Sequence, residues 1–141
     1  MRETQRDRLE NESMIIGKRT DLRLQSKNIK IGENVQIDDN VRIVVPEYGK
    51  LTIGDNVKIG VGTIINCGGE IVIGEGTSFY GYCYVQASSW EIDEKNEKQY
   101  SYHTINIGQF NKLAPFTVMS NNITTEPYFA SKPNEVVGQW V

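Results

Sequence analysis

A single histidine and two cysteines stand in 141 residues, and this scarcity removes several chemistries at once. A zinc site held by three histidines is impossible, a disulfide framework or metal cluster needs more ligands, and His103 is the one imidazole that can move a proton near neutrality. No apolar run reaches the roughly 18 residues of a membrane-spanning helix. The opening segment 1–13 is too polar for a signal peptide, so the expected compartment is the cytoplasm. A clustered basic excess is also missing: the formal net charge is −3, which argues against a nucleic-acid footprint. At 38% hydrophobic and 23% charged, the composition suits one soluble domain that buries about two-thirds of its unfolded surface.

What the sequence has in abundance is repetition. IGKRTD from Ile16, IGENVQ from Ile31, IGDNVK from Ile53, IGEGTS from Ile73 and IGQFNK from Ile107 are copies of one phrase, and further beats begin at Ile37, Ile59 and Ile65. A beat of six residues fits neither the 3.6 period of a helix nor the two-residue alternation of a flat strand. It fits a short strand and a corner, repeated. Asn34, Asn40, Asn56, Gly62, Gly68 and Gly76 occupy the fourth position, where a turn needs a residue that accepts positive φ. Three beats over 53–70 would close one triangular coil, with Ile53, Ile59 and Ile65 inward, Val57, Thr63 and Gly69 beside the corners, and Ile71–Val72 as an insertion. Stacked coils bury each aliphatic on its counterparts, for about 1.5–3 kcal/mol per side chain.

These residues resemble the left-handed parallel β-helix of the hexapeptide-repeat acyltransferases, the group of the maltose, xenobiotic and polysaccharide O-acetyltransferases, over 16–118. The resemblance implies an all-β fold of about five triangular coils. In order, the chain reads as a polar arm (1–13), the β-helix (14–124) and a C-terminal exit segment (125–141). PEYG at 46–49 bulges from one corner, and a polar excursion over 91–104 breaks the beat. SKPNEVVG keeps Pro133, Val136 and Val137 of the family's exit motif, in which the chain leaves the coil and packs alongside. Cys83 falls at the beat position of Val57 and Thr63, a small buried filler, and Cys67 sits in a corner; neither has a histidine near it in sequence.

The resemblance also implies a reaction: transfer of an acyl group from coenzyme A or an acyl carrier protein at a groove between subunits of a trimer, with a histidine as general base. An alcohol is too weak an acid to attack a thioester unaided, and His103, at the end of the excursion, is the candidate. Ser88, Ser89 and Trp90, where the family places its histidine, and Tyr102 are candidate acceptor contacts. Lys112, Ala114, Ser120 and Lys132 are candidate contacts for the donor, acetyl-CoA. The family's Thr-Lys-Asp and Pro-Ala-Lys motifs are replaced by Ser120-Asn121-Asn122 and Pro133-Asn134-Glu135, and a glutamate repels a phosphate. Two readings follow. One is a homotrimeric O-acetyltransferase acting on a sugar or polysaccharide precursor, without a metal, nucleic-acid partner or membrane span. The other is a trimeric scaffold or binding subunit with a decayed site. The same fold in γ-class carbonic anhydrases needs three histidines for zinc, and the ice-binding β-helices need exposed threonine ladders that are absent here. Phe79 is expected inward; Tyr80, Tyr82 and Tyr84 are expected outward, as a subunit interface or a sugar-stacking platform.

Overall fold

A computed structural model describes residues 13–138; the expected arm lies outside them apart from Ser13. Among the described residues all regular structure is β, arranged as three parallel walls and one antiparallel hairpin. The first wall holds Ile15–Ile16, Gln36–Ile37, Lys58–Ile59, Ser78–Phe79 and Lys112–Leu113. The second holds Asp21–Leu24, Arg42–Val45, Ile64–Asn66, Tyr84–Gln86, Val118–Ser120 and Val136–Val137. The third holds Asn28–Ile31, Lys50–Ile53, Glu70–Ile73, Thr104–Ile107 and Ile123–Thr124. The chain visits the walls in rotation, so each strand pairs with the strand one turn away, as in a parallel β-helix. Walls of five, six and five strands extend the expected five coils by part of a turn.

The length of a turn departs from three six-residue beats. Ile59 pairs with Phe79 and Ile53 with Ile73, so this turn takes twenty residues. The two extra residues widen the third wall, where Leu51 and Ile53, Ile71 and Ile73, and Ile105 and Ile107 all point inward and are buried. Ile71 and Val72 are thus not an insertion but the middle of a strand. The expected stack of Ile31, Ile53 and Ile73 is present and continues to Ile107. Beside it run Ile37, Ile59, Phe79 and Leu113 on the first wall and Ile43, Ile65, Val85 and Met119 on the second, all buried.

Two of the three corners are also ladders. After the first wall, Arg19, Asn40, Gly62, Tyr82, Phe116 and Asn134 all have positive φ; after the third, Asn34, Asn56, Gly76, Phe110 and Tyr128 do. Each of these N–H groups above the lowest turn donates to a carbonyl of the turn below, as Tyr82 does to Val61 at 2.7 Å and Phe110 to Glu75 at 2.8 Å. Left-handed backbone costs a non-glycine residue about 1–2 kcal/mol; the ladder bond and ring stacking offset that cost. Tyr82 stacks on Phe116 with ring centroids 5.5 Å apart, and Phe110 on Tyr128 at 5.3 Å. Tyr82 lies directly over Gly62, where an added Cβ would come within 2.5 Å of its ring. Tyr82 thus serves as a stacking partner within the chain and remains exposed. Phe79 is buried, Tyr80 is exposed, and half-buried Tyr84 bonds to Gln86 and Asn66.

Gly68 does not share the positive φ of the other fourth-position residues, because it lies at the third corner, which is built differently. The C-terminal segment does not peel away. Ala130 bridges to Lys112 on the first wall, and Val136 and Val137 pair with Val118 and Met119 on the second. SKPNEVVG therefore continues the coil. Both cysteines are buried; Cys83 fills the space above Thr63 as expected, its N–H donating to the Thr63 hydroxyl at 3.4 Å.

Candidate functional site

The corner after the second wall has left-handed residues only at its last two turns, Asn121 and Gly138, and no ladder through the turns before them. It holds the 46–49 turn, the Cys67–Gly68–Gly69 run, and the excursion. That excursion is an ordered antiparallel hairpin of Ser88–Ile92 and Lys98–Tyr102, three residues longer at its start than the expected loop. It forms because Asp93 organises its tip: the carboxylate accepts the Lys95 and Glu97 N–H groups and the Gln99 amide. The Glu97 bond contributes most to holding this carboxyl below its usual range.

The coil tolerates the detour because the hairpin closes at its root. Ala87 donates to Asn66 below, His103 donates back to the Ala87 carbonyl at 2.8 Å, and the His103 carbonyl accepts from Glu70 at 2.9 Å. Gly69 lies against this root: an added Cβ would sit 2.1 Å from the His103 carbonyl oxygen and 2.7 Å from that of Ala87. Glycine is needed there for close approach rather than for positive φ.

Alternation along the hairpin decides what each face presents. Ser88 pairs with Tyr102, and Trp90 with Tyr100, giving one face with exposed aromatics. Tyr102 meets Tyr48 of the 46–49 turn edge to face, centroids 5.4 Å apart. The other face carries Ser89, whose Oγ lies 3.0 Å from His103 Nε2. His103 is half-buried, and its Nδ1 is the one buried side-chain polar atom without a partner among the described residues. An orphaned buried N–H is rarer than an unengaged lone pair. The favoured neutral tautomer therefore has Nε2–H donating to Ser89 and a free lone pair on Nδ1.

Two clefts flank the root. One, of about 400 Å3, is lined by Tyr48, Lys50, Gly68, Glu70, Tyr102 and His103 among others. The second, of about 190 Å3, is lined by Ser88, Ser89, Tyr84, Val118, Ser120 and Asn121 among others. The candidate base His103 and the candidate acceptor contacts Ser88, Ser89 and Tyr102 thus gather at one root, while Trp90 lies farther along the hairpin under the Lys98 ammonium at 4.7 Å. The expected donor residues divide. Ser120 joins the second cleft. Lys112, Ala114 and Lys132 lie toward the last turn of the first wall, where Ala114 N–H donates to Ser131 and the Lys112 carbonyl accepts from Ser131.

Tyr48, Lys50 and Glu70 were not among the residues singled out from sequence. Lys50, Glu70 and Thr104 hold one outward position on successive turns of the third wall. That register emerges only with the twenty-residue turn. Cys67, beneath the corner, donates to the Lys50 carbonyl at 2.9 Å, and burial pushes its thiol up to about 11, which favours the neutral thiol at neutral pH. Among the described residues no three His, Cys, Asp or Glu side chains are grouped to hold a metal, and no helix is long and apolar enough to cross a membrane.

No family model matches the sequence, and no curated protein matches it. Among solved structures, the chain is similar to AntD, an N-acyltransferase from Bacillus cereus crystallised with dTDP and 3-hydroxybutyryl-CoA. The identity is 19%, over 82% of this chain and 73% of that one, with a TM-score of 0.34. A likeness of that degree transfers neither substrate nor mechanism.

Proposed function

We propose that the chain is an acyltransferase that moves an acyl group, acetyl in the simplest case, from coenzyme A to a hydroxyl of a sugar or polysaccharide precursor, with His103 as general base. The observation that carries this reading is the position of the sole histidine: half-buried, in the wall of a cleft of about 400 Å3, with Nε2 fixed by Ser89 at 3.0 Å. A base must be held in one tautomer and within reach of the acceptor, and Ser89 supplies the first condition. The acceptor oxygen attacks the thioester carbonyl carbon as its proton passes to Nδ1 of the imidazole, which is buried in the free protein and which a shift of the hairpin root uncovers. The C–S bond breaks as the tetrahedral intermediate collapses, and the imidazolium returns the proton to the departing thiolate. Tyr48 and Tyr102, with Glu70 opposite, give the cleft the mixture of flat apolar surface and hydrogen-bonding groups that suits a polyhydroxylated acceptor.

Assembly as a homotrimer belongs to the same reading. On the outer face of the second wall Ile64, Tyr84, Val118 and Val136 form one apolar column, the kind of surface that closed association buries. Sedimentation giving a monomer at micromolar concentration would reject it.

A second reading, a scaffold with a decayed site, is favoured by the division of the expected donor residues between two walls. Calorimetry with acetyl-CoA, followed by acyl-transfer kinetics of His103→Ala, separates the two. The enzyme reading expects saturable binding that His103→Ala leaves intact, with transfer about 10²–10⁴-fold slower. No heat of binding supports the scaffold, and binding with a rate indifferent to His103 removes this residue as the base.

A further inference from the structure

Three lysines converge on the third wall below the cleft. Lys30 and Lys50 point outward because Ile29, Ile31, Leu51 and Ile53 take the inward positions. Lys27 stands at the corner just before them. With Asn28, Thr52 and Glu70 they line a groove of about 330 Å3. Lys50 and Glu70 line this groove and the His103 cleft alike, so the two form a continuous track down one wall.

The charge balance of this groove is unusual for the molecule. The chain as a whole is acidic, with a formal net charge of −3. On the neighbouring second wall Arg23 and Arg42 share Asp21 in ion pairs of 3.2 and 3.5 Å. Lys27, Lys30 and Lys50, by contrast, have no ion-pair partner among the described residues. Glu70, the groove's one carboxylate, lies at its upper end toward His103. Unpaired like charges held on adjacent strands repel one another, and an anion seated between them removes that repulsion.

We propose that this groove is a phosphate-binding subsite, taking the diphosphate or phosphate ester of a substrate whose reactive end lies in the cleft above. Three ammonium groups supply charge-assisted donors, and Asn28 and Thr52 supply neutral ones, the combination that suits a multiply charged oxyanion. The distance fits one ligand. Thr104, next to His103, is paired with Glu70, Glu70 with Lys50, and Lys50 with Asn28. At roughly 4.8 Å per strand spacing, the phosphate lies about 10–14 Å below the base. Glu70, between the two ends, repels an anion and keeps the phosphate low in the track, with the uncharged end of the ligand beside His103. The phosphate site stands on its own geometry; only its link to a reacting group rests on the acyl-transfer reading.

The test is calorimetry of the full chain with inorganic pyrophosphate, and with coenzyme A and a nucleoside diphosphate as two separate arms. Pyrophosphate is expected to bind saturably, more weakly as salt rises. Lys50→Ala should weaken it roughly tenfold, and Lys27→Ala and Lys30→Ala should each weaken it measurably. These side chains are solvent-facing, so folding is preserved, and the melting midpoint of each variant checks this. A matching loss for coenzyme A assigns the groove to the donor; a matching loss for the nucleoside diphosphate alone assigns it to an activated acceptor. No saturable pyrophosphate binding, or undiminished binding by the Lys27→Ala/Lys30→Ala/Lys50→Ala variant, overturns the proposal. His103→Ala must leave pyrophosphate binding unchanged, so failure of the base assignment and failure of the phosphate site register as different results.

Discussion

Two corners of this β-helix repeat themselves at every turn, and the third changes form from turn to turn until Asn121 and Gly138. At the repeating corners every turn supplies a residue with positive φ, its N–H bonded above the lowest turn to the turn below, so that donor is satisfied without help from its own side chain. The identity of that residue is then free to vary, from glycine through asparagine to tyrosine and phenylalanine. The corner after the second wall forgoes the ladder and is free in length instead: a four-residue turn at 46–49, a tight glycine pair, then a hairpin of Ser88–Ile92 and Lys98–Tyr102. Regular backbone bonding carries the fold at two edges, and the third edge can therefore hold irregular chain and the clefts.

The largest effect that can test this division concerns what all three edges share. Ile59 is fully buried between Ile37 and Phe79, and Ile59→Asp puts an unpaired carboxylate on the dry axis, a cost that exceeds the stability of a domain this size. No soluble cooperative protein is expected, and a cooperative melt from this variant would sink the account of the core. At the corners the contrast is direct. Gly62→Val combines a left-handed β-branched residue with a Cβ 2.5 Å from the Tyr82 ring, and should cost about 2–4 kcal/mol by denaturant titration. Glu47→Ala, at the exposed tip of the 46–49 turn, should stay within about 0.5 kcal/mol. Equal costs would erase the distinction between the corners.

How much of this was legible in the sequence follows the same division. The repeating corners were readable at Asn34, Asn40, Asn56, Gly62 and Gly76, because positive φ restricts residue choice. Tyr82, Phe116, Phe110 and Tyr128 were not readable there, because aromatic rings hold that conformation only through the backbone of the turn beneath and a ring on an adjacent turn, and those contacts are long-range. Ile71 and Val72 misled because a four-residue strand with two inward isoleucines looks, one beat at a time, like a slip. His103 stood out as the sole histidine, and Ser88, Ser89 and Tyr102 became candidates from the position of the break in the repeat. Lys50 and Glu70 belong to perfectly regular strands, and nothing local marks them as neighbours of the cleft.

A smaller effect is expected from removing the hairpin. Its strands bond to each other, its residues beyond Ser89 are almost all exposed, and the backbone bonds of His103 and Ala87 and the Ser89–His103 contact that close the root survive its removal. Replacing 90–100 with an Asn-Gly turn should leave the denaturation midpoint within about 1 kcal/mol of the parent, while abolishing any acceptor specificity that Trp90 and Tyr100 supply. A loss of several kcal/mol would mean that the third corner, too, carries the fold.

The finest comparison uses the two thiols, one at each kind of corner. Cys83 lies under the Tyr82 ladder with the Ala114 carbonyl 3.4 Å from its sulfur, and Cys67 lies at the third corner against the Lys50 carbonyl. Burial raises both above the ordinary thiol value, Cys67 to about 11. A raised pKa means that the folded state prefers the neutral thiol. The stability this gives is intact below about pH 9, the ordinary thiol value, and is lost as pH climbs toward 11. At pH 8 both thiols are protonated and enclosed, so a thiol reagent must wait for an opening. If the ladder corners open only with the whole molecule while the third corner opens locally, Cys67 should be modified first, at a rate insensitive to small changes in global stability, and Cys83 only as the protein unfolds. Mass spectrometry of peptides taken along the labelling time course reads both rates at once. Equal rates that track the global unfolding equilibrium would show the irregular corner to be as tightly held as the other two.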